Sequence, residues 1–201
     1  MKNLNDNLVV GLVGNAGAGK DFVASIFEEM GFSHYSGSDL VREEIDKRGL
    51  LPSRETQNLV ANEIRLLRGG DYFVARAIER ARKLRPKAPI LVSGIYAPAE
   101  GTYISVELHG DLVDVITADR DDLNVRFGRI TSRSDGSRDL LSRGEFVTAH
   151  NRENSGTNPL EANVTILQSL ARFTIINGPD ATSENLAKQV KSILAELGQD
   201  L

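Results

Sequence analysis

One seven-residue run, Gly14-Asn15-Ala16-Gly17-Ala18-Gly19-Lys20, constrains this chain more than any other. Leu8 to Val13, just before it, is wholly apolar but for Gly11 and reads as a short buried strand. Lys20 to Met30, just after it, carries Phe22, Val23, Ile26 and Phe27 at helical spacing. A strand, a G-x-x-x-x-G-K turn and a helix form an anion cradle. The glycines let successive backbone N–H groups converge on phosphate oxygens without a side-chain clash. The helix aims the positive end of its dipole at the same anion. Lys20 reaches the β- and γ-phosphates of a nucleoside triphosphate, so the expected occupant is ATP, held by Gly14 to Lys20 with Asp21 and Phe22 beside them. A glycine-rich turn with no ligand is the other reading, and the flanking strand and helix argue against it.

One position departs from the pattern. Ser or Thr normally follows the lysine and its hydroxyl helps to hold Mg²⁺; here the residue is Asp21. A carboxylate is a hard oxygen ligand that serves the metal directly or through water. The alternative is a first-turn acid favoured by the helix dipole alone.

A phosphate cradle of this kind needs a sheet behind it, and the rest of the chain alternates accordingly. Strands are expected at Phe32 to Ser36, Pro89 to Ile95, Val113 to Thr117 and Phe173 to Ile176. Helices are expected at Asp39 to Arg48, Ser53 to Arg68 and from a cap at Asp71 to about Arg85. Further helices are expected at Leu123 to Thr131, Phe146 to Glu153, Leu160 to Leu170 and Thr182 to Leu197. The result is an α/β chain, a single doubly wound domain over residues 1–201 with a parallel sheet of five strands. Ligands in such a domain bind at the carboxyl ends of the strands.

Bulk composition removes several alternatives. The 201 residues are 40% hydrophobic and 26% charged, which suits a globular chain. A formal charge of -4 gives no reason to expect a nucleic-acid partner. With no cysteine and with His34, His109 and His150 far apart, disulfides, thiolate chemistry and a histidine-rich metal site are not expected. The polar start lacks a secretory pattern, and no apolar run approaches the ~20 residues of a membrane span. The expectation is a cytoplasmic monomer or homodimer.

The second side of the cleft is expected after the second strand. Ser38 or Asp39 can cap the next helix, and Arg42 lies one turn after Asp39. Arg42 can clamp an acceptor phosphate, and Asp39 can act as general base or hold a metal-bound water. The competing reading is a surface helix with Arg42 paired to Glu43 or Asp46. The segment Ser36-Gly37-Ser38-Asp39-Leu40-Val41-Arg42 resembles the S-T-G-D-x-x-R segment of nucleoside monophosphate kinases. Residues from about Val9 to Val190 resemble small archaeal and bacterial phosphate-loop proteins related to dephospho-CoA kinase and nucleotide kinases. The matching pieces are Ser38 to Glu44, Lys47-Arg48-Gly49, Asn62-Glu63-Ile64-Arg65 and Ser93-Gly94-Ile95. Lys20-Asp21-Phe22-Val23 also resembles the phosphate loops of animal phosphomevalonate kinase and of a phage deoxynucleotide kinase.

The resemblance implies ATP and Mg²⁺ as cofactors and a small phosphorylated acceptor, dephospho-CoA or a (deoxy)nucleoside monophosphate first and phosphomevalonate third. It departs at the third strand, where related kinases often carry an acid at Ser93 and an arginine near Tyr96. Tyr96 can stack on a substrate ring or simply pack. Arg126, Arg129, Arg133, Arg138 and Arg143 fall within eighteen residues, and the first three can share a helix face. In the resembled kinases an arginine-rich lid closes over the phosphates, which implies a lid at about residues 132–145 with Arg129 and Arg133 at the transferring group. A solvated charged loop is the alternative. The same resemblance places Asn177 beside the adenine, while a strand-ending turn explains Asn177-Gly178 equally well. Two other function classes stay open: a regulatory nucleotide-binding ATPase switch, and a non-catalytic nucleotide-binding module.

Overall fold

The structure is a computed structural model that describes residues 4–118, 122–132 and 142–199. β1 (Val9–Val13) is buried throughout and is the middle strand of the sheet. It pairs in parallel with β3 (Ile90–Ser93) on one side, Val10 opposite Leu91, and with β4 (Asp111–Ile116) on the other, Leu12 opposite Val113. β2 (Ser33–Ser36) adds outside β3 and β5 (Phe173–Ile176) outside β4, so the order is β2-β3-β1-β4-β5. All four pairings are parallel, as the alternation of apolar strands and amphipathic helices requires.

Strand alternation divides the core between the two faces of the sheet. Val10 and Leu12 face α1 (Lys20–Glu29) and α9 (Ser183–Glu196), where Phe27, Phe32, Leu186 and Val190 pack. Val9 and Val13 face the opposite layer. That layer holds α2 (Gly37–Lys47), α3 (Arg54–Arg68) and α4 (Tyr72–Leu84), with Ile45, Ile64, Phe73 and Ala77 buried.

Several local expectations are corrected. Ser36, not Ser38 or Asp39, caps α2, its Oγ accepting from the Ser38 N–H at 3.3 Å, and the helix begins at Gly37. Asp71 has helical backbone angles and makes no side-chain cap. Residues with no expected element form α5 (Pro98–Thr102), which widens into a π-helical turn over Tyr103–Glu107. α6 (Leu123–Thr131) follows the sequence reading. α7 (Arg143–Glu153) starts three residues early because Ser142 and Glu145 form a capping box. α8 (Val164–Leu170) starts late, at the Asn163 cap. Of the expected lid, Arg133, Arg138 and residues 133–141 lie outside the described residues.

Candidate functional site

The turn between β1 and α1 holds left-handed or extended-positive angles at Gly14 (φ 132°), Gly17 (φ 84°) and Gly19 (φ 90°). A Cβ at Gly17 would stand 2.6 Å from the Arg126 carbonyl oxygen, so glycine is required there on both counts. Lys20 Nζ donates to the Gly14 and Asn15 carbonyls at 2.6 and 3.0 Å, which holds the ammonium over the turn. Burial pulls the Lys20 pKa down, and the nearby carboxylates of Glu153 and Asp21 oppose that.

Donors behind the turn orient its peptides. Arg126 Nη1 donates to the Ala16 carbonyl at 3.0 Å, and Asn177 Nδ2 to the Ala18 carbonyl at 2.9 Å. Arg129 Nη1 reaches the same Ala18 oxygen at 3.2 Å. In a trans peptide the N–H points opposite the C=O. The amides of Gly17 and Gly19 are therefore directed away from these donors, toward the cleft. Asn15 is buried and its Oδ1 accepts from Asn154 Nδ2 at 2.9 Å.

Two clefts flank the turn. The first, of about 630 Å³, is lined by Gly17, Gly19, Asp21, Phe22, Arg129 and Asn177. Arg129 Nη2 also donates to the Asn177 and Gly178 carbonyls, both at 2.8 Å. Its guanidinium braces β5 against the phosphate turn. Arg126, expected to share a helix face with Arg129 and Arg133, is 1% exposed and lies over the Phe146 ring at 5.4 Å. Arg143 lies over the Phe127 ring at 5.3 Å.

The second cleft, of about 140 Å³, lies on the β2–β3 side and brings Lys20, Asp21, Ser38, Arg42, Arg54 and Tyr96 together. Arg42 is thus in the cleft. Asp39 pairs with Arg42 and does not line either cleft. Tyr96 faces inward, its ring 5.9 Å from the Lys20 ammonium, and burial pushes its phenol up to about 12, so it stays neutral. At the end of β3 the Ser93 Oγ is 2.9 Å from His34 Nε2. Below Tyr96 the cleft narrows into a pocket of about 40 Å³ lined by Arg54, Gln57 and Glu153.

Arg54 and Glu153 were not among the residues singled out from sequence. Arg54 reads as a first-turn helix residue and Glu153 as the last residue of another helix, and folding alone joins them, Nη1 to Oε1 at 3.0 Å. A second buried pair, Arg65 with Glu100, fixes Tyr96: Glu100 Oε1 accepts from Arg65 and Oε2 accepts from the backbone N–H groups of Tyr96 and Ala97. Among the described residues no group of three or more His, Cys, Asp or Glu is placed to hold a metal ion. Asp21, which lines both clefts, is the acid at the phosphate turn. No helix among them is long and apolar enough to cross a membrane.

Comparisons with known proteins agree with this geometry. The chain resembles shikimate kinase from Acinetobacter baumannii in complex with shikimate, with a TM-score of 0.52 at 18% identity over 94% of each chain. It also resembles shikimate kinase from Bacteroides thetaiotaomicron, with a TM-score of 0.54 at 11% identity over 95% of this chain and 98% of that one. These likenesses show a shared kinase-like phosphate-loop fold. A UPF0200 protein of Pyrobaculum aerophilum is 30% identical over 189 residues, 94% of this chain and 98% of that protein. A family model described as AAA domain matches residues 13–143. By the extent of each match, the chain belongs to the AAA-domain family of phosphate-loop proteins and to the UPF0200 group.

Proposed function

We propose that this protein is a small-molecule kinase that moves the terminal phosphoryl group of ATP onto a small phosphorylated acceptor. One observation carries the reading: the two clefts share Gly17, Gly19 and Asp21, so a phosphate seated on the turn is open to both. A nucleotide switch needs one pocket at its triphosphate. A transferase needs a second, aimed at the phosphorus from the far side.

In this reading the wide cleft takes the nucleotide, its base side formed by Phe22, Arg129 and Asn177. The Gly17 and Gly19 amides and Lys20 hold the phosphates and stabilise charge as it develops. Asp21 fits a Mg²⁺ held mainly by phosphate oxygens and water, and that ion would neutralise charge on the β- and γ-phosphates. Arg42 and Arg54 grip the anionic part of the acceptor in the narrower cleft. Dephospho-CoA and a (deoxy)nucleoside monophosphate rank first as acceptors, on the resemblance of Ser36 to Arg42 to the kinase acceptor segment. Both present a phosphate for the arginines.

ADP release measured with and without dephospho-CoA, adenosine monophosphate, thymidine monophosphate and phosphomevalonate tests the reading. Turnover stimulated by one acceptor supports it. Equal turnover with none identifies an ATPase switch, and nucleotide binding without turnover identifies a binding module.

A further inference from the structure

Glu153 closes the blind end of the acceptor-side pocket with only half of its carboxylate engaged. Oε1 accepts from Arg54 at 3.0 Å, whereas Oε2 is buried with no hydrogen-bond partner in the structure. The side chain is 6% exposed, so bulk water does not serve that oxygen. A buried carboxylate oxygen left without a donor is costly, and buried polar atoms nearly always have a partner. The pocket of about 40 Å³ in front of it has room for a ligand group.

Charge decides what that group is. A phosphate or carboxylate oxygen would meet like charge at close range in a poorly hydrated pocket. An ammonium would add net positive charge to a pocket whose Arg54–Glu153 pair is already balanced, with Lys20 nearby. A neutral donor satisfies Oε2 without either cost. The pocket walls agree, since Ser38, Gln57, Asn58 and Tyr96 offer hydroxyl and amide groups suited to a hydroxylated ligand.

We infer that Glu153 Oε2 receives a hydroxyl of the phosphoryl acceptor, so that the acceptor is a hydroxylated small molecule with its anionic group toward Arg42. The inference rests on the transferase reading above and narrows its substrate class. Burial raises the Glu153 pKa, and a hydroxyl donor favours the charged form and offsets that penalty.

Matched probes test it on the full chain. Adenosine monophosphate is compared with its 2′,3′-dideoxy analogue, and dephospho-CoA, whose 3′-hydroxyl must stay to receive the phosphoryl group, with its 2′-deoxy analogue, in the wild type and in Glu153→Gln. For whichever pair is accepted, loss of the hydroxyl is expected to raise the acceptor KM about tenfold or more in the wild type, as for a hydrogen bond to a charged group. In Glu153→Gln the hydroxylated probe should lose a similar factor, the two probes should converge, and the KM for ATP should move far less. Probes of equal KM in the wild type, or a full difference retained in Glu153→Gln, overturn the inference. Should the variant fail to fold, the wild-type comparison decides alone. The same pairs are titrated calorimetrically onto the ADP-loaded protein. Hydroxyl-dependent binding without acceptor-stimulated ADP release keeps the inference and removes the transferase reading. Stimulated release that ignores the hydroxyl does the reverse, and no binding of any probe removes both.

Discussion

Removing the Lys20 ammonium separates phosphate chemistry from folding. Lys20 is half-buried with its ammonium on the Gly14 and Asn15 carbonyls of the turn, and in the proposed reading its charge serves bound phosphate. Lys20→Ala should lower acceptor-stimulated turnover by about 10²–10³-fold, typical for a lost transition-state donor, while thermal unfolding stays near the wild type. Retained turnover would remove the turn from the mechanism. Arg42 lines the narrower cleft, half-exposed and paired with Asp39. Arg42→Ala should raise the acceptor KM about tenfold with a much smaller change for ATP; equal effects on both would refute an acceptor contact. Glu153 gives a pH signature. Its pKa is raised above the ordinary 4.5 by burial, against the pull of Arg54, Lys20 and Arg126. A raised pKa means that the folded state holds the proton more tightly, so its contribution is full below about 4.5 and is lost as pH rises through the folded value. The stability of the wild type relative to Glu153→Gln should therefore fall as pH rises from about 4.5 through the folded value, and a difference that rises instead would contradict the burial account. These three residues were unequally legible. Lys20 belongs to a seven-residue pattern whose glycines have a local, geometric reason. Glu153 meets Arg54 across 99 positions, and nothing local in either neighbourhood announces the pair.

At the scale of elements, α6 and α7 act as a clamp behind the phosphate turn. Arg126 of α6 holds the Ala16 carbonyl, and Asn154, just past α7, holds the Asn15 side chain. The two are linked through His150, whose Nδ1 lies 3.4 Å from Arg126 Nη2 and 3.1 Å from Asn154 Nδ2. Asn154→Ala takes away the bonds to Asn15 and to the His150 carbonyl, and the bond that Asn154 Oδ1 accepts from the Thr165 hydroxyl. It should cost about 1–3 kcal/mol in denaturant unfolding and raise the KM for ATP more than that for the acceptor. An unchanged KM for ATP would mean that the clamp supports the fold without shaping the turn. Both helices were legible in the sequence, but their role was not. An arginine-rich run reads as a lid or as a solvated loop, whereas Arg126 is buried between the Ala16 carbonyl and the Phe146 ring. The π-helical turn at Tyr103–Glu107 was missed for another reason: its five residues carry too few apolar positions for any period to register. Arg65 and Glu100 lie between these cases. Arg65 is in one of the short segments that resemble related kinases, yet its partner and its hold on Tyr96 emerge only when α3 packs on α5.

For the whole molecule, strand order places the chemistry. The alternation of strands and helices announces a parallel doubly wound sheet, but the order depends on pairings such as Val9 with Ile90, which no local pattern records. Because β1 is central, the phosphate turn opens onto β4 and β5 on one side and onto β3 and β2 on the other. The wide cleft follows the first side, with Asn177 just past β5, and the narrower cleft follows the second, with Ser36 and Ser93 at its wall. A ligand with two adenosines joined by five phosphates can then occupy both clefts at once when the acceptor is a nucleotide. It should raise the melting temperature more than ATP and adenosine monophosphate supplied together. Stabilisation by mass action is about 2.7 kcal/mol at a hundred times Kd, and each kcal/mol is worth about 2–4 °C for a chain of this size. The excess over ATP belongs to the second cleft, so Arg42→Ala should erase it and leave the shift with ATP in place. A pentaphosphate that stabilises no more than ATP alone would exclude adenosine monophosphate from the acceptor side. Dephospho-CoA and thymidine monophosphate would then be the acceptors to pursue, since each carries the phosphate and the hydroxyl that the proposed reading assigns to that pocket.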